Sequence, residues 1–291
     1  MAVLHPTNKE PDVQHERVHR AVSQDGTEIV GRVYGQGPPL VLVHGAIADG
    51  ESEWGEVLPH LAEHFTCYTP STRGRGSSGH HPDVSREARV ADVLAFVESL
   101  GEPVGLAGVS GGGMISLGVA ARTSAVRALA LYEPVIFEVA SEERLAVFRQ
   151  VIEDMTEAAE RNRPDEAIAA FAATIANEQE QDALDADPDA VAEAGRYLEV
   201  DIEELREAYR FEGPSPTDPA SLQRIEVPVL LLHGAGTPTP WFADGCRFVA
   251  DHVADGIVRE IPEAGHFGPL MHPQRLAPEL IDFFEAAYQP A

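Results

Sequence analysis

The chain has 291 residues, 44% of them hydrophobic, which is enough to bury a substantial core within one elaborated domain. Its formal net charge of −27 repels nucleic-acid phosphates and anionic membrane surfaces. No run approaches the roughly 18 apolar residues of a membrane span, and the first residues lack an apolar signal-peptide core. We therefore expect a cytoplasmic protein with neither nucleic acid nor a membrane as its partner.

The basic residues have an unusual composition, because Lys9 is the only lysine and the other 20 are arginine. An acidic surface poor in lysine is expected of a protein in a salt-rich cytoplasm, since salt screens the self-repulsion of such a charge. A genome that favours arginine codons would give the same composition. Both interpretations stay open.

The predicted elements alternate along the chain. Two β-like runs flank the turn SQDGTE, and the apolar run PLVLVHG that follows is typical of a strand buried on both faces of a parallel sheet. Further strands are predicted at FTCYTP, PVGLAG, VRALALY, VPVLLLHG and IVREIP, and helices at about 54–64, 86–100, 111–122, 241–252 and 273–287. This alternation predicts an α/β fold with a mostly parallel central sheet flanked by helices.

The apolar strands stop between about residues 138 and 221, where alanine-rich and acid-rich helical sequence replaces them. Residues 138–218 have 23 acidic and 7 basic side chains, a net charge of −16, and we expect most of these charges on solvated helix surfaces. We interpret 138–221 as a helical cap inserted into a core of residues 17–137 and 222–291, with 1–16 as an N-terminal extension. An insertion at this point can cover the carboxyl edge of the sheet, where ligands bind.

The motif with the clearest chemical meaning is Gly-x-Ser-x-Gly at residues 108–112, directly after one predicted strand and before one predicted helix. A serine hydroxyl can attack a substrate only if it protrudes from a tight strand-to-helix turn, and the glycines let the helix pack close to that turn. The start of the helix also brings backbone N–H groups to the developing negative charge. We predict that Ser110 is a nucleophile.

This arrangement resembles the α/β-hydrolase family, and the resemblance covers nearly the whole chain. The pair His44-Gly45 ends the third strand, and the next residue, Ala46, is similar in position to the family's oxyanion-hole donor, so the resemblance implies the amides of Ala46 and Gly111 as the two donors. The segment STRGRGSSG is similar to the family's Asp-x-Arg-Gly-x-Gly-x-Ser turn with Ser71 in place of the aspartate. We interpret that turn as structural.

Among 12 histidines, His266 has the best position for a general base. It lies in PEAGHF, after the last predicted strand and before the last helix, which is the family's histidine position. We expect His44 and His233 to shape loops, with His44 also a candidate for lining the pocket. His80 and His81 are expected at the surface.

The acid of a catalytic triad is missing from its usual place. The resemblance implies an aspartate three residues after the glycine that ends the seventh core strand, but the segment is HGAGTP and that position holds Thr237. We predict that Glu133 in LALYEP replaces it, because some relatives supply their acid from the end of the preceding core strand. Asp244 is the main rival, and a Ser–His dyad is the third possibility, since losing a triad acid reduces rather than abolishes catalysis.

A serine, an imidazole and two amide donors together predict acyl transfer through a covalent acyl-enzyme, with no metal or organic cofactor. Cys67 and Cys246 offer neither a disulfide framework nor a metal-ligand spacing. The expected partner is a small to medium uncharged carboxylic ester. Two alternatives stay open: a cofactor-free perhydrolase or haloperoxidase-like oxidoreductase, and a non-catalytic ligand-binding member of the fold, which Thr237 makes credible.

Overall fold

The computed structural model describes residues 17–210 and 215–289, within which eight strands form a single sheet. The predicted extension, 1–16, lies outside the described residues. The strands are β1 (Val18–Val22), β2 (Glu28–Tyr34), β3 (Pro39–Val43), β4 (Thr66–Pro70), β5 (Val104–Val109), β6 (Val126–Tyr132), β7 (Pro228–Gly234) and β8 (Asp255–Ile261). Their spatial order is β1-β2-β4-β3-β5-β6-β7-β8.

Strand β2 pairs antiparallel with both β1 and β4, and every other neighbouring pair of strands is parallel. All residues of β3 and β5 are buried, as are all of β7 after its first residue. Burial on both faces explains why these strands read as continuous apolar runs. The predicted α/β class with a mostly parallel sheet is confirmed.

Helices cover both faces of the sheet. They are α1 (Leu58–Leu61), α2 (Arg86–Ser99), α3 (Ser110–Ala120), α4 (Glu142–Glu160), α5 (Pro164–Ala172), α6 (Glu178–Asp185), α7 (Pro188–Ala194), α8 (Leu198–Arg210), α9 (Pro219–Leu222), α10 (Trp241–His252), α11 (Gly268–Met271) and α12 (Pro273–Tyr288). Alternate strand residues point to opposite faces. One face packs its apolar side chains against α2, α3 and α10, and the other against α1 and α12. None of the described helices is both long and apolar enough to cross a bilayer.

The helix predicted over 54–64 is wrong in length, since α1 spans only four residues. The Asp49 carboxylate accepts the amides of Glu51 and Ser52 and holds the preceding segment in turns. Pro59 is tolerated only in the first turn of a helix, so α1 cannot begin much earlier. Side-chain capping of a turn therefore overrides the apolar pattern here.

Helices α4 to α8 all lie within the interval where the sequence predicts a cap. Apolar side chains of α4, α5 and α8 form a cluster of their own that also includes Trp241 and Phe242 of α10 and the partly buried Ala46 and Ile47. Both Ala46 and Ile47 come shortly after β3. The helical segment thus packs onto the carboxyl ends of the parallel strands, where the predicted site residues lie.

Candidate active site

Ser110 lies at the junction of β5 and α3 in a strained backbone conformation. Its φ of +52° falls in the left-handed region, which costs free energy for a residue with a side chain. The flanking glycines are required by packing: a Cβ on Gly108 would lie 2.6 Å from the Gly112 carbonyl oxygen, and one on Gly112 would lie 2.3 Å from the His44 carbonyl oxygen. The serine therefore has the geometry of a nucleophile elbow.

Glu133 and His266 form a buried hydrogen-bonded pair. The Glu133 Oε2 to His266 Nδ1 distance is 2.6 Å, with the carboxylate fully buried and the ring 4% exposed. Because a carboxylate only accepts, the ring donates its Nδ1–H to Glu133, and in the tautomer with that single proton Nε2 is left as an acceptor. In this tautomer the ring can take a proton from an alcohol.

Thr237, at the position where an aspartate was expected, supports the glutamate instead. The Thr237 hydroxyl donates to Glu133 Oε1 at 2.6 Å, and the Gly234 amide donates to the same oxygen at 2.8 Å. The rival carboxylate, Asp244, is 53% exposed and pairs with Arg247 at 2.8 Å. Of the two candidates, only Glu133 contacts the imidazole.

Ser110 lines a cavity, and in the part of the chain that the structure describes its hydroxyl makes no hydrogen bond to His266. Phe242 lines the cavity together with Ser110 and stacks on the His266 ring at a centroid distance of 4.4 Å. Burial raises the pKa of Glu53, whose carboxylate accepts the Gly45 amide at 2.9 Å and is stabilised by His266 nearby. The serine–histidine contact of such enzymes commonly tightens only in the substrate complex.

The two predicted oxyanion donors, Ala46 and Gly111, line the same cavity as Ser110. The His44 ring fixes the peptide before Ala46. Its Nε2 accepts the Thr72 amide at 3.0 Å, so its Nδ1–H donates to the Gly45 carbonyl at 2.7 Å. The N–H of a trans peptide points opposite to its C=O, so the Ala46 N–H points away from His44, and no described residue accepts it. Burial and the nearby Arg75 lower the pKa of His44 to about 4, which keeps the ring neutral.

The cavity is mostly apolar and has about 690 Å³ of space not filled by atoms, including its mouth. Aromatic side chains form much of its wall: Phe137 just before the cap segment, Phe148 and Phe171 within it, and Trp241 and Phe242 of α10. Arg89 and Glu204 also line it, but they pair with each other at 3.1 Å, so the wall has no uncompensated charge from them.

The remaining predicted residues lie outside this centre. Cys67 and Cys246 are buried and free. His80 is exposed, and His81 is partly exposed beside Asp25. Across the described ranges, no group of three His, Cys, Asp or Glu side chains is arranged to hold a metal ion.

Several residues of the site carry no recognisable signal in the sequence. Tyr132 donates its hydroxyl to the Gly265 carbonyl, next to the histidine. Phe242 stacks on the imidazole, and two cap carboxylates, Glu180 and Asp201, bind loops of the core. Their partners are distant in the chain, and only the fold brings them together.

Comparison with known proteins places this geometry in a family. The family model described as "Alpha/beta hydrolase family" matches residues 40–279. The 2-hydroxy-6-oxo-6-(2'-aminophenyl)hexa-2,4-dienoic acid hydrolase of Metapseudomonas resinovorans is 26% identical over 91% of this chain and 90% of its own. Esterase structures from Thermogutta terrifontis and Rhodococcus sp. ECU1013 share the fold, each with a TM-score of 0.72. The Thermogutta terrifontis esterase is 23% identical, and the match covers 94% of this chain and 100% of that one. The Rhodococcus esterase is 24% identical, and the match covers 93% of this chain and 99% of that one. The protein belongs to the alpha/beta hydrolase family.

Proposed function

We propose that the protein is a serine hydrolase that cleaves a small to medium, uncharged carboxylic ester through an acyl-enzyme. The observation that supports this most directly is the 2.6 Å hydrogen bond between Glu133 and His266 Nδ1, which leaves Nε2 as a base. A strained serine at the start of a helix and a paired imidazole are the components that acyl transfer needs.

The proposed reaction has two steps. His266 Nε2 takes the proton of Ser110, whose oxygen bonds to the ester carbonyl carbon, while the amides of Ala46 and Gly111 stabilise the oxyanion. The alcohol leaves with the proton from His266, and the acyl group remains on the serine. Water, deprotonated by the same imidazole, then releases the carboxylic acid and restores Ser110.

The cavity wall supports an uncharged substrate with an apolar or aromatic group. Aromatic rings would contact that group, and burying its surface contributes roughly 25 cal/mol per Å². The charge of Arg89 is balanced by Glu204, so the wall offers no free cation to a carboxylate.

A second candidate is hydrolysis of an aryl keto acid, as the name of the Metapseudomonas resinovorans relative states for that protein. The aromatic wall favours it, whereas the pairing of Arg89 with Glu204 disfavours a substrate carboxylate. Comparing kcat/KM on phenyl esters and on an aryl 6-oxo-dienoic acid separates the two. We expect the esters to be preferred.

The test is steady-state hydrolysis of p-nitrophenyl acetate and butyrate by the wild type and Ser110→Ala. We expect the variant to lose about 10⁴-fold or more in kcat, with an unchanged circular dichroism spectrum. Turnover that survives this substitution overturns the proposal. A peroxide-dependent halogenation assay run beside the ester assay tests the oxidoreductase alternative, which predicts halogenation to dominate.

A further inference from the structure

The oxyanion loop is held from two sides. Asp201 of α8, fully buried, accepts the Ile47 amide at 2.9 Å. Ile47 has a φ of +54°, a conformation that costs free energy for a β-branched residue and needs support from its surroundings. On the other side, His44 donates to the Gly45 carbonyl at 2.7 Å. Both peptides that flank Ala46 are therefore fixed, the preceding one by the core and the following one by the cap.

The histidine loop has the same arrangement. Glu180 of α6, 1% exposed, accepts the Phe267 amide at 2.7 Å. On the preceding peptide, the Tyr132 hydroxyl donates to the Gly265 carbonyl at 2.5 Å. Both peptides that flank His266 are thus fixed, again one from the core and one from the cap.

The start of α6 fits closely against this loop. A Cβ on Gly265 would lie 2.4 Å from Glu180 Oε2, so a larger residue there would displace the carboxylate. Glu180 and Asn177 form a capping box that sets the carboxylate's position relative to the helix. The Asn177 side chain also donates to the Gly236 carbonyl at 3.3 Å. The helix start is therefore attached to two core loops at once.

We infer that Asp201 and Glu180 are positioning residues of the hydrolase: each accepts the amide directly after a site residue and holds that residue in its working orientation. The inference rests on the proposed function for the roles of Ala46 and His266. It makes the cap a structural part of the catalytic centre, so that a displaced cap releases both the oxyanion donor and the base.

The kinetic test uses Asp201→Ala and Glu180→Ala, with kcat expressed per Ser110 titrated by a fluorophosphonate. We expect kcat to fall at least about tenfold in each, while KM stays within threefold because neither carboxylate lines the cavity. Asp201→Asn and Glu180→Gln keep an acceptor oxygen and should recover most of the loss. Alanine variants with wild-type kcat per titrated site overturn the inference.

The matched control is Asp187→Ala. Asp187 is also a buried cap carboxylate, but it accepts the Ala190 amide of its own helix and contacts no core loop. We expect it to lower the melting temperature and leave kcat unchanged. If Asp187→Ala loses as much kcat as the test variants, the loss comes from general destabilisation of the cap, and the inference is overturned. If an alanine variant does not fold, Asp201→Val or Glu180→Met, which keep the buried volume without an acceptor, replaces it.

Hydrogen–deuterium exchange tests the positioning without any turnover. We expect Asp201→Ala to raise deuterium uptake in residues 44–49 and not in 264–269, and Glu180→Ala to raise it in residues 264–269 and not in 44–49. Unchanged uptake in both segments overturns the inference. If the wild type hydrolyses no ester but uptake rises as expected, the proposed function fails and the positioning contacts stand.

Discussion

Two buried carboxylate sites, Glu133 in the core and the pair Asp201 and Glu204 of α8, differ in how many of their oxygens have a partner. Glu133, in the core, uses both oxygens, with two donors on one and His266 on the other. Asp201 and Glu204, where α8 meets the core, bind arginines but each leaves one buried oxygen without a partner. Both oxygens of Glu133 therefore have partners, whereas Asp201 and Glu204 each have one oxygen without one.

An unsatisfied buried polar atom costs roughly 1–3 kcal/mol, so the difference has consequences for stability. At the junction, the Nε atoms of Arg75 and Arg89 also lack partners. Burial raises the pKa of Asp201. Burial would also raise the pKa of Glu204, but the charges of Arg75 and Arg89 outweigh it, so the pKa of Glu204 is lowered. The Asp201 and Glu204 site therefore has more buried polar atoms without a partner than the Glu133 site.

The largest expected effect is that of Glu133→Gln. Glutamine keeps the shape of the site but cannot stabilise a charged imidazole, so kcat should fall by about 10³- to 10⁴-fold without unfolding. The measurement is ester turnover together with thermal unfolding, and Asp244→Asn is the control because Asp244 is exposed. Full activity of Glu133→Gln would show that the acid assignment is wrong.

The second effect concerns the junction. Arg75→Met removes the arginine bound to Asp201 and one of the two arginines bound to Glu204, and should lower the free energy of unfolding by about 3–5 kcal/mol. Arg247→Met breaks an exposed pair and should cost less than about 1 kcal/mol. Urea denaturation measures both. If the two variants lose the same free energy of unfolding, the buried ion pairs stabilise the protein no more than the exposed pair does.

A pH effect comes from His44. Its folded-state pKa of about 4 lies below the ordinary 6.5, so its contribution to stability is complete above pH 6.5 and is lost as the pH falls toward 4. Between pH 7 and pH 5 the loss is about 2 kcal/mol. Urea denaturation of the wild type and His44→Gln at both pH values should show this extra loss only in the wild type. Identical pH dependence in the two proteins contradicts the assignment.

A smaller effect tests how much the third donor on Glu133 matters. Thr237→Val keeps the side-chain shape and removes the hydroxyl, so kcat should fall about tenfold with little change in KM. Thr237→Ser, which retains the hydroxyl, is the control. If the valine and serine variants have the same kcat, the threonine does not support the carboxylate during catalysis.

The smallest effect is that of salt on the acidic cap surface. Potassium chloride screens repulsion between exposed carboxylates and leaves the buried pairs of the junction largely unaffected. We expect the melting temperature of the wild type to rise by a few degrees in high salt. A steady fall would contradict adaptation of this surface to salt.

The fold and the reactive groups of the site were predictable because their signals are local. Strands buried on both faces are apolar throughout, and Ser110 lies in a motif whose glycines are required by packing. Thr237 lies where the family has an aspartate, and Glu133, at the end of the preceding core strand, is a carboxylate in a position that some relatives use. Helix α1 was overestimated because the Asp49 turn competes with the helix.

The cap contacts were not predictable, for a physical reason. Asp201 and Ile47 are 154 residues apart, and Glu180 and Phe267 are 87 apart. Each carboxylate lies in an acid-rich helix among many similar residues, and the capping box predicts only a local role for Glu180. Only tertiary packing distinguishes these carboxylates from those on the solvated surface.

The most direct test of the central claim is the rate at which a fluorophosphonate labels Ser110. The reaction depends on His266 as base, which in turn depends on the Glu133 contact. With peptide mapping of the adduct, the account predicts labelling of Ser110 in the wild type and a rate at least about 10³-fold lower in His266→Ala. Equal rates in the two proteins, or an adduct on another residue, would contradict it.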